Sequence, residues 1–360
     1  MNDDADHLKR PKNMHHQFYN DYSETAHPAC LAAIAHEPML QQAGYGMDTI
    51  SAQAADAIRA ICHAPEAAVH FLSGGTQANL TVLSSMLRPF EAVISAHTGH
   101  IFANETGAIE ATGHKVIPVT VTQGKLTPAD VLTVVAAHPW EHGVRPRVVY
   151  ISQSTEIGTV YSLSELRALR EVCTELNLYF FIDGARMGSA LMSTEADWSM
   201  ADIAALADVF YIGGTKNGAL LGEAVVIVHP SLQTDFRYHL KQRGALLAKG
   251  RVIGSQFLAL LSNGLFQALA THANQCALAL QNDLLALGVE FESLSSTNQI
   301  FPILPNHTIA ALQTRYGFHV WKKHDEDRQM IRLVTSWATP LDKVEDFIAD
   351  ARDALQHKEQ

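Results

Sequence analysis

The sequence predicts an α/β protein: a large domain built on a mostly parallel sheet, then a smaller α+β C-terminal domain. Three observations carry this. From about residue 18 to 240, short apolar runs alternate with helix-like segments. Two of these runs stop at glycine-containing turns just where a polar residue appears, LYFFIDGAR at 178–186 and DVFYIGGTKNG at 208–218, as buried parallel strands do. From about 245 the rhythm changes to one long helical stretch followed by short strands.

Residues 1–17, opening MNDDADHLKRPKN, are polar and read as a flexible arm without the pattern of a secretory leader. Residues 18–245 form the large domain. Its predicted strands are AVHFL (68–72), AVISA (92–96), KVIPVTV (115–121), RVVYIS (147–152), YFFID (179–183), VFYIG (209–213) and EAVVIV (223–228). Helical patterns such as TPADVLTVVAAHP (127–139) and LSELRALREVCTEL (163–176) lie between them. Residues 246–360 form the smaller domain. It opens with the helical stretch 252–288, continues through FESL, QIFPILP and IRLVTSW, and ends in the amphipathic DKVEDFIADARDALQ.

The length of 360 residues is about two domains on the usual scale, and 47% hydrophobic content supplies a sizeable core. A formal net charge of −11 argues against nucleic acid or an anionic membrane as a main partner. Cys30, Cys62, Cys173 and Cys276 are scattered with no CxxC, which favours free thiols in a reducing, cytoplasmic setting. No apolar run approaches the ~20 residues of a membrane span.

The chemistry is concentrated at strand ends. In a parallel sheet, ligands collect beyond the carboxyl ends of the strands, so Asp183 and Lys216 would open into one crevice. Upstream, AVHFLSGGTQANL places Ser73, Gly74, Gly75 and Thr76 between a strand and a helix. Such a turn offers backbone N–H groups, a helix dipole and the Thr76 hydroxyl to a phosphate. No Lys-Ser/Thr pair follows the glycines, so it is not a nucleotide P-loop. A carboxylate, an amine and a phosphate cradle are what pyridoxal phosphate requires: the amine condenses with its aldehyde, and the acid keeps its ring nitrogen protonated.

On these residues the chain resembles the threonine aldolase and β-eliminating lyase family of fold-type I pyridoxal phosphate enzymes. The resembling segments run from about residue 18 to the C-terminus. They include NDYSETAHP, GYGMD, SGGTQAN, GHIFANETGAIEATGHKV, STEIGTVYSL, FIDGARMGSAL, GGTKNGALLGEA, KQRGALLAKGR, TNQIFPILP and RLVTSWAT. The resemblance implies that Lys216 carries the cofactor, Asp183 pairs with the ring nitrogen, and His100 stacks over the ring, with Glu105 and Gly107 beside it. It also implies that Arg186 and Arg332 grip the substrate carboxylate, with Asn20 and Asp21 approaching it, and that Tyr45 reaches a neighbouring subunit's site. The basic run Arg237, Lys241, Arg243, Lys249 and Arg251 reads either as a solvated face or as a source of one phosphate ligand, for which Arg251 is the candidate. His97 and His100 share i,i+3 spacing, but two ligands fall short of a catalytic metal site.

Two positions depart from the family pattern. Glu156 stands where threonine aldolases carry a histidine, and Asn104 replaces an aromatic residue. Both positions lie near the substrate β-hydroxyl in the family. The expected activity is Cα–Cβ cleavage of a β-hydroxy-α-amino acid to glycine and an aldehyde, with His100, Glu156 or water as the base. β-Elimination, racemisation or transamination on another amino acid is the alternative, and binding without turnover is a third class that Lys216 argues against. The family habit implies a homodimer or homotetramer with sites at the subunit interface.

Overall fold

The computed structural model describes residues 16–36 and 38–356. Of the predicted arm 1–17, residues 1–15 lie outside these, whereas His16 and Gln17 form a short strand, β1 (His16–Gln17). The chain divides into two compact units, one of residues 25–269 and one of the N-terminal residues up to Glu24 with Ala270 onward. The division thus falls later than the predicted change at 246. The reason is local: the helix Arg251–Leu261 packs against the helices Thr49–Ile61 and Pro28–Ala35 of the larger unit.

The sheet of the larger unit contains β2 (Ala68–Leu72), β3 (Glu91–Ala96), β4 (Lys115–Val119), β5 (Arg145–Ser152), β6 (Tyr179–Asp183), β7 (Val209–Gly213) and β8 (Glu223–Ile227). Their order is β2-β8-β7-β6-β5-β3-β4. Strands β3 to β7 pair in parallel; β8 runs antiparallel to both β7 and β2, so β2 points the same way as β7. Every residue of β3, β7 and β8 is buried, as continuous apolar runs in a sheet covered on both faces should be. Helices start where the sequence supplies reciprocal caps: Thr127 with Asp130, Ser162 with Glu165, and Ser199 with Asp202.

The smaller unit holds β9 (Glu290–Phe291), β10 (Gln299–Ile300), β11 (Pro302–Pro305), β12 (Tyr316–Gly317), β13 (His319–Lys323) and β14 (Arg328–Val334). The order β10-β14-β11-β9 forms its sheet, with β13 also on β14, and β1 pairs in parallel with β12. Phe18, Leu280, Ile331, Leu333 and Phe347 of the closing helix Leu341–Gln356 share its core. β13 is exposed along its whole length, so it carries no apolar alternation for a sequence reading to find.

The long helical stretch breaks at Asn263, whose φ of 54° lies in the left-handed region. Counted as one, Arg251–Ala286 is long and apolar enough to cross a membrane, which corrects the reading that no such stretch exists. Its apolar side chains are engaged with protein: Ile253, Phe257 and Leu260 are buried in one unit, and Cys276, Leu280 and Leu284 in the other. All four cysteines are free and buried, and burial pushes their thiols up to about 11 or 12.

Close backbone approach next to Asp183 requires glycine. A Cβ on Gly184 would lie 1.8 Å from the Tyr211 carbonyl oxygen, and one on Gly213 would lie 2.4 Å from the Ala185 carbonyl oxygen. Neither neighbour is a flexible side chain, so β6 and β7 would have to part. Gly184→Ala is expected to destabilise the protein by ~3 kcal/mol or more, measured by urea unfolding. A loss below ~1 kcal/mol would show that the two strand ends are not held as tightly as this.

Candidate active site

One sheet edge collects the polar residues. The turn after β2 carries Ser73 to Thr76, the turn after β3 carries His100, the turn after β5 carries Glu156, β6 ends at Asp183, and the turn after β7 carries Lys216. Because these strands are parallel, all five groups lie at the carboxyl edge, the place where such sheets bind ligands.

Asp183 is the most heavily satisfied of them. Its Oδ2 accepts from Tyr150 Oη at 2.5 Å and Asn79 Nδ2 at 3.0 Å. Its Oδ1 accepts from Tyr211 Oη and from the Ala185 N–H at 3.0 Å. Burial pushes this carboxyl up, but the nearby His100 and the Tyr150, Tyr211 and Ala185 hydrogen bonds overcome it and leave it below the ordinary value. The cost falls on the tyrosines: burial, then the Asp183 charge, raises both hydroxyls well above theirs.

His100 opens the short helix His100–Ala103 and is half-buried. Its Nδ1 lies 2.8 Å from Glu105 Oε1, which also accepts from Asn79 Nδ2 at 2.7 Å. Asn79 therefore links the His100–Glu105 pair to Asp183. Glu156 is half-buried on the same edge, and its Oε1 accepts from Ser152 Oγ at 2.6 Å and the His100 N–H at 2.9 Å. Burial raises the Glu156 carboxyl, with the Ser152 hydrogen bond opposing. Asn104 follows the His100 helix and donates its N–H to the His100 carbonyl oxygen.

Ser73 and Gly74 lie between β2 and the helix Gly75–Met86. The helix Gly75–Met86 has Gly74 at its N-cap and no side chain capping it, so its first N–H groups remain available to an anion. Ser73 Oγ and N–H both donate to Gln77 Oε1, at 2.8 and 3.1 Å, and Gln77 Nε2 donates to the Arg243 carbonyl oxygen at 3.3 Å. Of the basic run, Arg243 is thus tied to the cradle through its backbone, and its Nε is buried without a hydrogen-bond partner among the described residues. Arg251 Nη1 donates to the Leu40 carbonyl oxygen at 2.6 Å and Nη2 to that of Pro38 at 3.3 Å. Tyr45 accepts from Arg237 Nη2 through its carbonyl and stacks under Lys241 at 4.5 Å. Tyr45, Arg59, His70 and Arg237 line a different cavity of about 310 Å³ that none of the five edge groups lines. His97 Nδ1 lies 3.3 Å from the Val119 carbonyl oxygen, apart from the His100–Glu105 pair.

Lys216 and Arg186 are both half-buried, and Arg186 caps the helix Met187–Leu191 three residues after Asp183. Sequence reasoning missed Glu223. It is the first residue of β8, buried, and stands opposite Gly213 and Leu72 in register. Its Oε2 accepts from the Gly214 N–H at 3.2 Å. Burial pushes its carboxyl up to about 8, against the pull of the Thr215 hydrogen bond and the Lys216 charge.

In the smaller unit, Asn20 Oδ1 accepts from the Tyr22 N–H at 2.9 Å and from Ser23 Oγ at 3.0 Å. Asp21 is buried and accepts from Asn298 Nδ2 at 2.9 Å. Arg332 lies on β14, donates to the Tyr19 carbonyl oxygen at 3.2 Å and covers the Trp321 ring at 4.9 Å.

These groups fit pyridoxal phosphate. An uncapped helix start suits the phosphate, a carboxylate kept ionised suits a protonated ring nitrogen, and an amine stands at the neighbouring strand end. Within the larger unit, Ser73, Gly74, Gly75, Thr76, His100, Asp183 and Lys216 are the residues that could hold it. Glu105 Oε2 and Asn79 Oδ1, both buried, have no hydrogen-bond partner among the described residues, so the polar network has unused capacity beside Asp183.

Comparison with known proteins agrees with this chemistry. The family model described as beta-eliminating lyase matches residues 21–306. A low specificity L-threonine aldolase of Pseudomonas aeruginosa is 32% identical over 339 residues, covering 93% of this chain and 97% of that protein. The structure of a Leishmania major threonine aldolase is similar with a TM-score of 0.93 and 44% identity, covering 94% of this chain and 99% of that one. A Thermus thermophilus aspartate aminotransferase shares the fold alone, with a TM-score of 0.71 at 15% identity over 95% of this chain and 92% of that one.

Proposed function

The chain belongs to the beta-eliminating lyase family, and from that premise we propose that it is a pyridoxal phosphate-dependent carbon–carbon lyase of threonine aldolase type. It cleaves the Cα–Cβ bond of a β-hydroxy-α-amino acid such as threonine, giving glycine and an aldehyde. The observation that carries this reading is the meeting of the cradle, His100, Glu156, Asp183 and Lys216 at one sheet edge, in a chain this similar to threonine aldolases.

When bound, pyridoxal phosphate supplies the electron sink that accepts the electron pair of the broken bond. The protein supplies the rest. The N–H groups at the start of the helix Gly75–Met86 and Thr76 hold the phosphate. Lys216 would bind the cofactor aldehyde through Nζ. Asp183 would keep a proton on the ring nitrogen, because the nearby His100 and the hydrogen bonds from Tyr150, Tyr211 and Ala185 hold it below its ordinary value despite burial. His100, held at Nδ1 by Glu105, would stack on the cofactor ring. Arg186 grips the substrate carboxylate with its planar fork.

The β-hydroxyl proton goes to Glu156. Its carboxyl is raised by burial, the direction that suits a general base. A carboxylate there also disfavours substrates with acidic side chains. We place the enzyme in the cytoplasm, in keeping with its free thiols. Its working form is proposed to be a homodimer or homotetramer, because the segment before the cavity exposes apolar surface: Met39 is 90% and Met47 66% exposed.

An amino-acid panel with product identification tests the reaction. Threonine should give glycine and acetaldehyde in equal amounts, and Lys216→Ala should lose both the turnover and the borohydride-trapped cofactor. Pyruvate or another keto acid as the main product would replace aldol cleavage with a different reaction on the same cofactor. Glu156→Gln, which keeps the shape, should lower threonine turnover at least ~10-fold while cofactor binding survives. Since the active form is the carboxylate, wild-type turnover should fall as pH drops through the raised Glu156 value, and this limb should vanish in the variant. An unchanged rate would make Glu156 a structural loop residue. Sedimentation of the active enzyme should show at least a dimer; a fully active monomer would overturn the oligomer.

A further inference from the structure

We propose that the cavity between β2 and the helix Phe236–Gln242 is a second small-molecule site, which takes a monocarboxylate with a short apolar chain. It is separate from the sheet edge and stands whatever reaction that edge performs. The cavity measures about 310 Å³, lies wholly within the larger unit and is closed on its third side by the helix Thr49–Ile61. That volume is far above the packing gaps of a protein core and falls in the range of small-ligand sites.

One part of the wall is apolar, made by Ala52, Ala55, Val69, Phe71, Leu240 and Leu246. Arg59 and Arg237 also line the cavity, against one acid, Asp48. Asp48 is buried and already engaged: it accepts from the Ser51 N–H at 2.7 Å and from Ser51 Oγ at 2.9 Å. Asp56 pairs with Arg59 Nη1, but its side chain is 72% exposed, so water screens its charge. Arg59 Nε donates to the Ala67 carbonyl oxygen at 2.9 Å and Arg237 Nη2 to that of Tyr45 at 3.2 Å. This leaves Arg59 Nη2 and Arg237 Nε and Nη1 without a hydrogen-bond partner among the described residues.

His70 supplies the second polar element. Its ring lies 5.0 Å from that of Phe236, and neither ring nitrogen has a hydrogen-bond partner among the described residues. Burial, then the charges of Arg237 and Arg59, push it down to about 4, so near neutral pH it offers one N–H and one lone pair.

These groups select the ligand. A guanidinium fork matches the two oxygens of a carboxylate with charge-assisted hydrogen bonds, and the His70 N–H can add another. One negative charge balances the lining, where two guanidinium groups face one carboxylate. A phosphate dianion would exceed that balance and leave the apolar wall against water. A wholly apolar ligand would cover the arginines and His70 without pairing them.

The test reads His70 in the full-length holoenzyme, carrying ¹³C in its histidine rings. The His70 signal is identified by its loss in His70→Gln, and 4-methylpentanoate is titrated in at constant pH. The signal should move, with half-saturation at or below ~1 mM. The amide of the same shape, 4-methylpentanamide, should bind at least ~10-fold more weakly, as should the carboxylate to Arg237→Gln. Arg186→Gln, at the sheet edge, should leave the midpoint within about twofold of wild type; a tenfold weakening there would move the binding to that edge and overturn the proposal. A His70 signal that stays in place up to ~20 mM would overturn it too, whether water or a second copy of the chain fills the cavity. So would an amide or Arg237→Gln midpoint within about twofold of the wild-type carboxylate value. If Arg237→Gln does not fold, the comparison of carboxylate and amide on the wild type decides alone. Failure of threonine to give glycine would leave this titration untouched.

Discussion

Asp183 is 3% exposed, so its ionised carboxylate has little but the protein to stabilise it. An unpaired buried anion would take up a proton, and a neutral acid could not hold a positive ring nitrogen. Much of the larger unit's polar architecture follows from this requirement. Tyr150 comes from β5, Tyr211 from β7 and Asn79 from the cradle helix, so three elements are anchored on one carboxylate. Asn79 carries the connection on to Glu105, and Glu105 fixes His100. Glycines at 184 and 213 let β6 and β7 approach closely enough for the Tyr211 bond to form.

The same edge holds three acids in distinct states. Asp183 is drawn down by the nearby His100 and by hydrogen bonds from Tyr150, Tyr211 and Ala185; Glu156 and Glu223 are pushed up by burial. Environment thus separates one carboxyl held below its ordinary value from two held above theirs.

Much of this was legible in the sequence because parallel strands end where function begins. YFFID and VFYIG each stop at the residues that matter, and SGGT lies between a strand and a helix as the cradle needs. Glu223 was invisible to that logic, since it begins a strand; only the antiparallel direction of β8 brings it to the edge. Arg251 was chosen from a run of five cations whose order says nothing about loop geometry, and its two hydrogen bonds go to carbonyl oxygens at Pro38 and Leu40. The compact units divide at 269/270 rather than near 246, because the helix Arg251–Leu261 packs on helices of the larger unit. The exposed strand β13 and the two-residue strands β1 and β12 carry too few buried positions to show a period.

The central claim is that Asp183 remains an anion and keeps a proton on the ring nitrogen of the cofactor. The most direct measurement is the nitrogen NMR shift of pyridoxal phosphate labelled with ¹⁵N in the ring and bound to the enzyme, followed across the neutral pH range. The account predicts a protonated ring nitrogen throughout in the wild type, and loss of that proton in Asp183→Asn. A neutral pyridine nitrogen in the wild-type enzyme would contradict it.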